Sequence, residues 1–174
     1  MHIVGDIEQG RAVKSLAGLN AKWKAKSVTV PTVKTPAPPA ESKVYFYDVP
    51  GAVQSVFRFG YPALAATDQD YYPAIVMNYI LGGGGFASQL TQELREGKGY
   101  TYGINSNFSG TTVPGPFTIA SGVRANVTLE AAQLVKSIVE NYPKNFSAND
   151  LATTKSFLIK SNARAFETSG AKLN

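Results

Sequence analysis

LGGGGFASQLTQELREGKGYTYGINSNFS, residues 81 to 109, sets a glycine run, a charged amphipathic segment and an aromatic alternation in one compact block. Four consecutive glycines, Gly82 to Gly85, are too dense for a helix or strand interior, because glycine costs up to about 1 kcal/mol per helix position relative to alanine. They predict a sharp break. After them Phe86, Leu90 and Leu94 recur every four residues among Gln89, Gln92, Glu93, Arg95 and Glu96, the pattern of a helix with one buried stripe. That helix should stop near Gly97 to Gly99. Beyond it Tyr100, Tyr102, Ile104 and Phe108 alternate with Thr101, Gly103, Asn105 and Asn107, a period of two that predicts a half-buried strand. The block reads as loop, helix, tight turn, strand.

Working outward, Asp68 and Asp70 precede Tyr71, Tyr72, Ile75, Val76, Tyr79 and Ile80, a helical spacing whose acidic start complements the helix dipole and which ends at the glycines. KVYFYD (43–48) and QSVFRFGY (54–61) flank a Val-Pro-Gly turn and predict adjacent antiparallel strands. Gly115 to Arg124 reads as another strand. Leu129, Ala132, Val135, Ile138, Val139 and Tyr142 predict a helix that Pro143 closes, and Ser147 with Asp150 resembles a capping arrangement for a last helix through Leu151, Thr154, Leu158 and Ala165. At the other end, HIVGDI (2–7) reads as a short strand, followed by Val13, Leu16, Ala17 and Trp23 at helical spacing. Four prolines between Pro31 and Pro39 then predict an extended, semi-rigid linker.

The totals exclude several chemistries. A chain of 174 residues, 44% hydrophobic and 17% charged, has the composition of an ordinary globular domain with a real core. It contains no cysteine, so disulfides, thiolate metal sites and a cysteine nucleophile are ruled out. The one histidine, His2, cannot build a zinc triad or a Ser-His-Asp relay. The net charge of +5 is dispersed, apart from Lys22, Lys24 and Lys26, which reads as a solvated helix end and argues against nucleic acid as a partner. The longest apolar run, Ala74 to Leu81, is interrupted by Asn78 and too short to cross a bilayer.

Gly82-x-Gly84-x-x-Ala87 formally fits the dinucleotide fingerprint, but a helical pattern precedes it where that motif needs a strand. Glu93 and Glu96 fit the solvated face of their helix better than a pair of catalytic carboxylates. Arg95 and Tyr102 stand apart. One ends the helix and the other lies on the strand, and the glycine turn between them can bring a guanidinium and a phenol to one point, both able to donate to a carbonyl or an oxyanion. Spacing alone favours a surface arginine with an inward-packing tyrosine over a functional pair.

Val4 to Ile7, the Pro-rich junction, DVPGAVQS (48–55), NYILGGGGFASQL (78–90), LREGKGYTYG (94–103) and the GPF entry to the next strand (115–117) together resemble the pitrilysin or insulinase-type (M16) zinc peptidases, over nearly the whole chain. The resemblance is to their C-terminal, non-zinc domain. It implies an α+β two-layer sandwich, with a mixed, mostly antiparallel sheet and helices packed on one face. It also implies residues 1–34 as the tail of a preceding homologous domain, 35–42 as a linker, and 43–174 as the peptidase-like domain, cut short.

By the same resemblance the zinc and its ligands belong to a facing homologous domain or subunit, with no metal or cofactor in this fragment. Arg95 and Tyr102 match in type and spacing the pair with which such a domain hydrogen-bonds a peptide substrate near the scissile bond. Ser88-Gln89-Leu90 departs from the family's usual Ser-Arg-Leu. Two functions are then in view: the substrate-binding, non-catalytic domain of a zinc peptidase, inactive alone, or a non-enzymatic homologue acting as a scaffold or assembly subunit. The glycine run becomes a hinge or chamber-facing loop, and HIVGDI is expected to pair into the sheet in place of a missing strand.

Overall fold

A computed structural model describes residues 2–35 and 37–173. In chain order the elements are α1 (Gln9–Ser15), α2 (Ala17–Lys22), β1 (Gln54–Pro62), α3 (Tyr71–Asn78), α4 (Gln89–Thr91), β2 (Thr101–Phe108), β3 (Pro116–Arg124), α5 (Thr128–Asn145), α6 (Ala148–Asn162) and α7 (Ser169–Leu173). They fall into two compact units. The chain up to Thr32 together with the chain from Ser156 makes one, and Val33–Lys155 makes the other. In the first unit α1 buries Ala12, and the lone tryptophan, Trp23, follows α2 with 72% of its surface exposed. No helix among the described residues is long and apolar enough to cross a membrane.

The second unit holds the sheet, whose strand order is β1-β3-β2 with both pairings antiparallel. β3 shows why it is central: Phe117, Ile119, Ser121 and Val123 are buried while the residues between them are more exposed, the alternation of a strand with one face on a core. That face, with Ile104 of β2, packs against Ile80, Leu81, Leu90 and Leu94 and against Ala131, Val135 and Tyr142 of α5. The result is the α+β two-layer arrangement. Its sheet is wholly antiparallel among the described residues, not mixed.

Polar groups inside this core are paired. Asn78 donates to the Ser106 backbone oxygen at 2.9 Å and accepts from the Ser106 hydroxyl, tying the end of α3 to β2. The Tyr142 hydroxyl donates to the Met77 carbonyl at 2.7 Å, and burial, reinforced by the Asp150 charge, pushes that phenol well above the ordinary tyrosine range. Thr154 is the exception. It is fully buried, and its hydroxyl has no partner among the described residues. Since a buried, unmade hydrogen bond costs about 1–3 kcal/mol, Thr154→Val, which keeps the shape, should raise the unfolding free energy by about 1 kcal/mol. A urea midpoint equal to or below wild type would contradict this.

Several expectations are corrected. Residues 2–7 form no strand: the Ile7 amide bonds locally to Gly5 at 3.0 Å, and Ile3 and Ile7 stay about half exposed at 50% and 44%. HIVGDI therefore does not replace a missing strand. Lys43 to Asp48 also pairs with no strand among the described residues, and Val44, Tyr45, Phe46 and Tyr47 are between 84% and 94% exposed. The turn after it does form, the Ala52 amide reaching Val49 at 3.1 Å with Gly51 at φ 79°, as a type II turn requires. Only β1, on its far side, acquires a partner.

The glycine run is not a loose hinge either, because Tyr79–Gly83 continues α3 as a π-helical turn and Gly82 is buried. α5 runs through Pro143 to Asn145, and the Phe146 amide resumes the ladder onto Tyr142 at 3.0 Å. The Ser147 cap is reciprocal as expected: the Ser147 amide donates to the Asp150 carboxylate at 2.8 Å, and the Asp150 amide to the Ser147 hydroxyl at 3.2 Å. α6 ends at Asn162, short of Ala165.

Candidate functional site

Ser88 starts the segment that carries Arg95, its hydroxyl accepting from the Thr91 amide. α4 then widens into a second π-helical turn, Gln92–Gly97, which buries Leu94 and leaves Arg95 and Glu96 on the rim. Isolated π turns are found frequently at functional sites because the extra residue re-aims the side chains after it. The turn closes on itself. The amides of Lys98, Gly99 and Tyr100 donate to the carbonyls of Glu93, Arg95 and Leu94, and Gly99 takes φ 59°, a conformation that favours glycine.

Phe86 was expected in the buried stripe with Leu90 and Leu94; it is 61% exposed and precedes the Ser88 cap, outside the helix. Its ring lies instead under Arg95, 4.5 Å from the guanidinium carbon. Arg95 Nε also meets a Glu96 carboxylate oxygen at 3.3 Å, with both side chains partly exposed. An ion pair in that setting stabilises little, roughly 0–1 kcal/mol. It holds the guanidinium in place with donor nitrogens to spare.

Tyr102 is aimed by a bulge. Thr101 lies opposite Val123 and Ile104 opposite Ser121, so Tyr102 and Gly103 together face the single residue Gly122. The extra residue reverses the phase of the strand, so Thr101 and Ile104 are both buried and Tyr102 is 87% exposed. Hydroxyls replace a regular ladder here: Thr101 donates to the Gly122 carbonyl at 2.6 Å, and Ser121 donates to the Gly103 carbonyl at 2.9 Å.

Arg95 and Tyr102 line one cavity of about 710 Å³, which the ends of β1 and β3 complete through Gln54, Gly122 and Arg124. They do not bond each other, and the phenol oxygen has no hydrogen-bond partner among the described residues. Periodicity marks Arg124 only as the end of a strand. Its parity with exposed Gly122, opposite buried Val123, was the available signal that it faces this cavity. The wall offers hydrogen-bond donors without a nucleophile beside a base. No group of three or more His, Asp or Glu side chains able to hold a metal occurs among the described residues, so zinc does not fit here.

An α+β two-layer domain with two donors on one cavity wall is the class this geometry defines. Residues 2–158 match the family described as Peptidase M16 inactive domain, and the chain belongs to that family. It is similar to the non-peptidase homolog YmxG of Helicobacter pylori, with 31% identity over 98% of this chain and 39% of that protein. It also resembles an uncharacterized zinc protease of Streptomyces coelicolor, with 29% identity over 66% of this chain and 25% of that one.

The crystal structure of a peptidase M16 inactive domain from Pseudomonas fluorescens superposes with a TM-score of 0.78 at 29% identity, over 91% of this chain and 38% of that one. A protease from H. pylori shares the fold, with a TM-score of 0.79 at 21% identity over 97% of this chain and 41% of that one. The chain thus spans well under half of the relatives it matches.

Proposed function

We infer that this chain is the substrate-binding, non-catalytic domain of a zinc peptidase, in which Arg95 and Tyr102 donate hydrogen bonds to a peptide carbonyl beside a zinc site borne by another domain. The observation that carries this reading is the shared cavity wall, where a braced guanidinium and a phenol with no partner among the described residues face the same space. A guanidinium held over the Phe86 ring loses little freedom when a carbonyl arrives, and both donors gain strength as its oxygen becomes more negative. The zinc-protease name of the Streptomyces relative supports the same reading.

The test uses the complete protein that contains this domain. Arg95→Ala and Tyr102→Phe should each lower kcat/KM for peptide cleavage about tenfold or more, since one donor to a developing oxyanion contributes that much or more, with the folded state intact by circular dichroism. Rates equal to wild type in both variants would sink the assignment. A second reading, a non-enzymatic homologue serving as a scaffold, is favoured by the non-peptidase name of the relative matched over nearly the whole chain. It predicts a complete protein that folds, binds its partner domain and cleaves no peptide.

A further inference from the structure

We propose that Arg124 makes this cavity selective for peptides that carry a carboxylate next to the backbone carbonyl held by Arg95 and Tyr102; this rests on the reading above. Three charged side chains line the cavity, Arg95, Glu96 and Arg124. Arg95 and Glu96 are paired at 3.3 Å. Arg124 has no carboxylate in reach among the described residues, so the cavity presents one uncompensated positive charge, and it belongs to Arg124. Its cross-strand neighbour, Gln54, is neutral and cannot compensate it.

The position is fixed from both sides. The Arg124 amide donates to the Tyr100 carbonyl at 3.2 Å and the next amide, of Ala125, to Val53 at 3.0 Å, which pins the end of β3 between the turn before β2 and the segment before β1. The space beside it is clear, because a Cβ built on Gly122 would meet nothing within 4 Å. A ligand can therefore lie over Gly122 with one end at Tyr102 and the other at Arg124. A guanidinium presents a planar fork of donors that matches a carboxylate at two points, whereas a neutral amide uses only one. The carboxylate could be an acidic side chain or a peptide C-terminus.

The test is titration of this chain with acetyl-Ala-Ala-Glu-Ala-Ala-amide, its Gln counterpart, and acetyl-Ala-Ala-Ala with either a free or an amidated C-terminus, followed by NMR of the cavity-lining amides. The Glu peptide, the free-carboxyl peptide or both should bind about tenfold tighter than the neutral partner, a typical margin for a charge-assisted bond. Which pair shows the margin identifies the source of the carboxylate.

Arg124→Gln should remove the margin, Arg124→Lys should restore part of it, and about 0.5 M salt should shrink it by screening. Equal dissociation constants for charged and neutral peptides, a margin that survives Arg124→Gln, or no shift with any peptide at millimolar concentration would each overturn the proposal. The two readings fail separately. Arg95→Ala and Tyr102→Phe should weaken the neutral peptides as much as the charged ones. If they weaken neither while Arg124→Gln still abolishes the margin, the carbonyl-binding role falls and the carboxylate site stands.

Discussion

Leu90→Ala is expected to lower the unfolding free energy by about 4 kcal/mol, towards the upper end of the range for such truncations. Leu90 is completely buried in the cluster that joins the sheet to the helical layer. The cost depends on how far the surroundings collapse into the space left behind. Collapse is restricted here, because neighbouring Gly82 has no side chain to move and Ser106, the other group packed on Gly82, is held by two hydrogen bonds to Asn78. Denaturation by urea, followed by far-ultraviolet circular dichroism, measures the change; a loss below about 1.5 kcal/mol would mean that the core closes around the gap.

Gly82→Ala should destabilise by about 2 kcal/mol, although glycine to alanine in a helical segment ordinarily gains up to about 1 kcal/mol. Two effects oppose each other. A Cβ at this position would sit 2.7 Å from Leu90 Cδ1 and closer still to the Ser106 hydroxyl, and both neighbours are buried. Overpacking a filled core costs about 1–3 kcal/mol, so the clash outweighs the helical gain. A Gly82→Ala protein as stable as wild type would refute the close approach. The double variant with Leu90→Ala should lose at least about 1 kcal/mol less than the two single losses together, since contacting sites are not additive and the methyl enters the vacated space.

Much of this fold was legible. β2, β3 and α5 announce themselves because each has one face on the core and one in water, and burial writes that asymmetry into the residue order; β1, at the sheet edge, shows it more weakly through the half-buried Phe57. KVYFYD shows where the rule stops: a β-branched, aromatic run says that a segment suits a strand, and suitability alone does not pair it with a neighbour. The phase reversal at Tyr102 was hidden for a related reason, since a bulge exists only as a mismatch between two strands. The π turns after α3 and α4 change which carbonyl an amide reaches without changing residue type, so spacing could not show them. Phe86 kept the four-residue spacing and still fell outside the helix, because Ser88 caps the chain after it.

The site was partly legible too. Arg95 and Tyr102 were singled out because a helix end, a glycine turn and a strand start fix a short reach between them, and the structure sets both on one cavity wall. Arg124 was not, since it comes from a strand whose place beside β2 depends on sheet order. Charge compensation was equally unreadable, because Glu96 takes up Arg95 only through the geometry of the turn.

The position of Trp23 bears on how all these energies are read. The indole is largely in water and belongs to the unit that does not contain the sheet. Its emission is therefore already close to that of an unfolded chain, and melting of the Leu90 cluster can pass almost unseen in tryptophan fluorescence. An optical transition that lacks amplitude at that wavelength says nothing against a cooperative core.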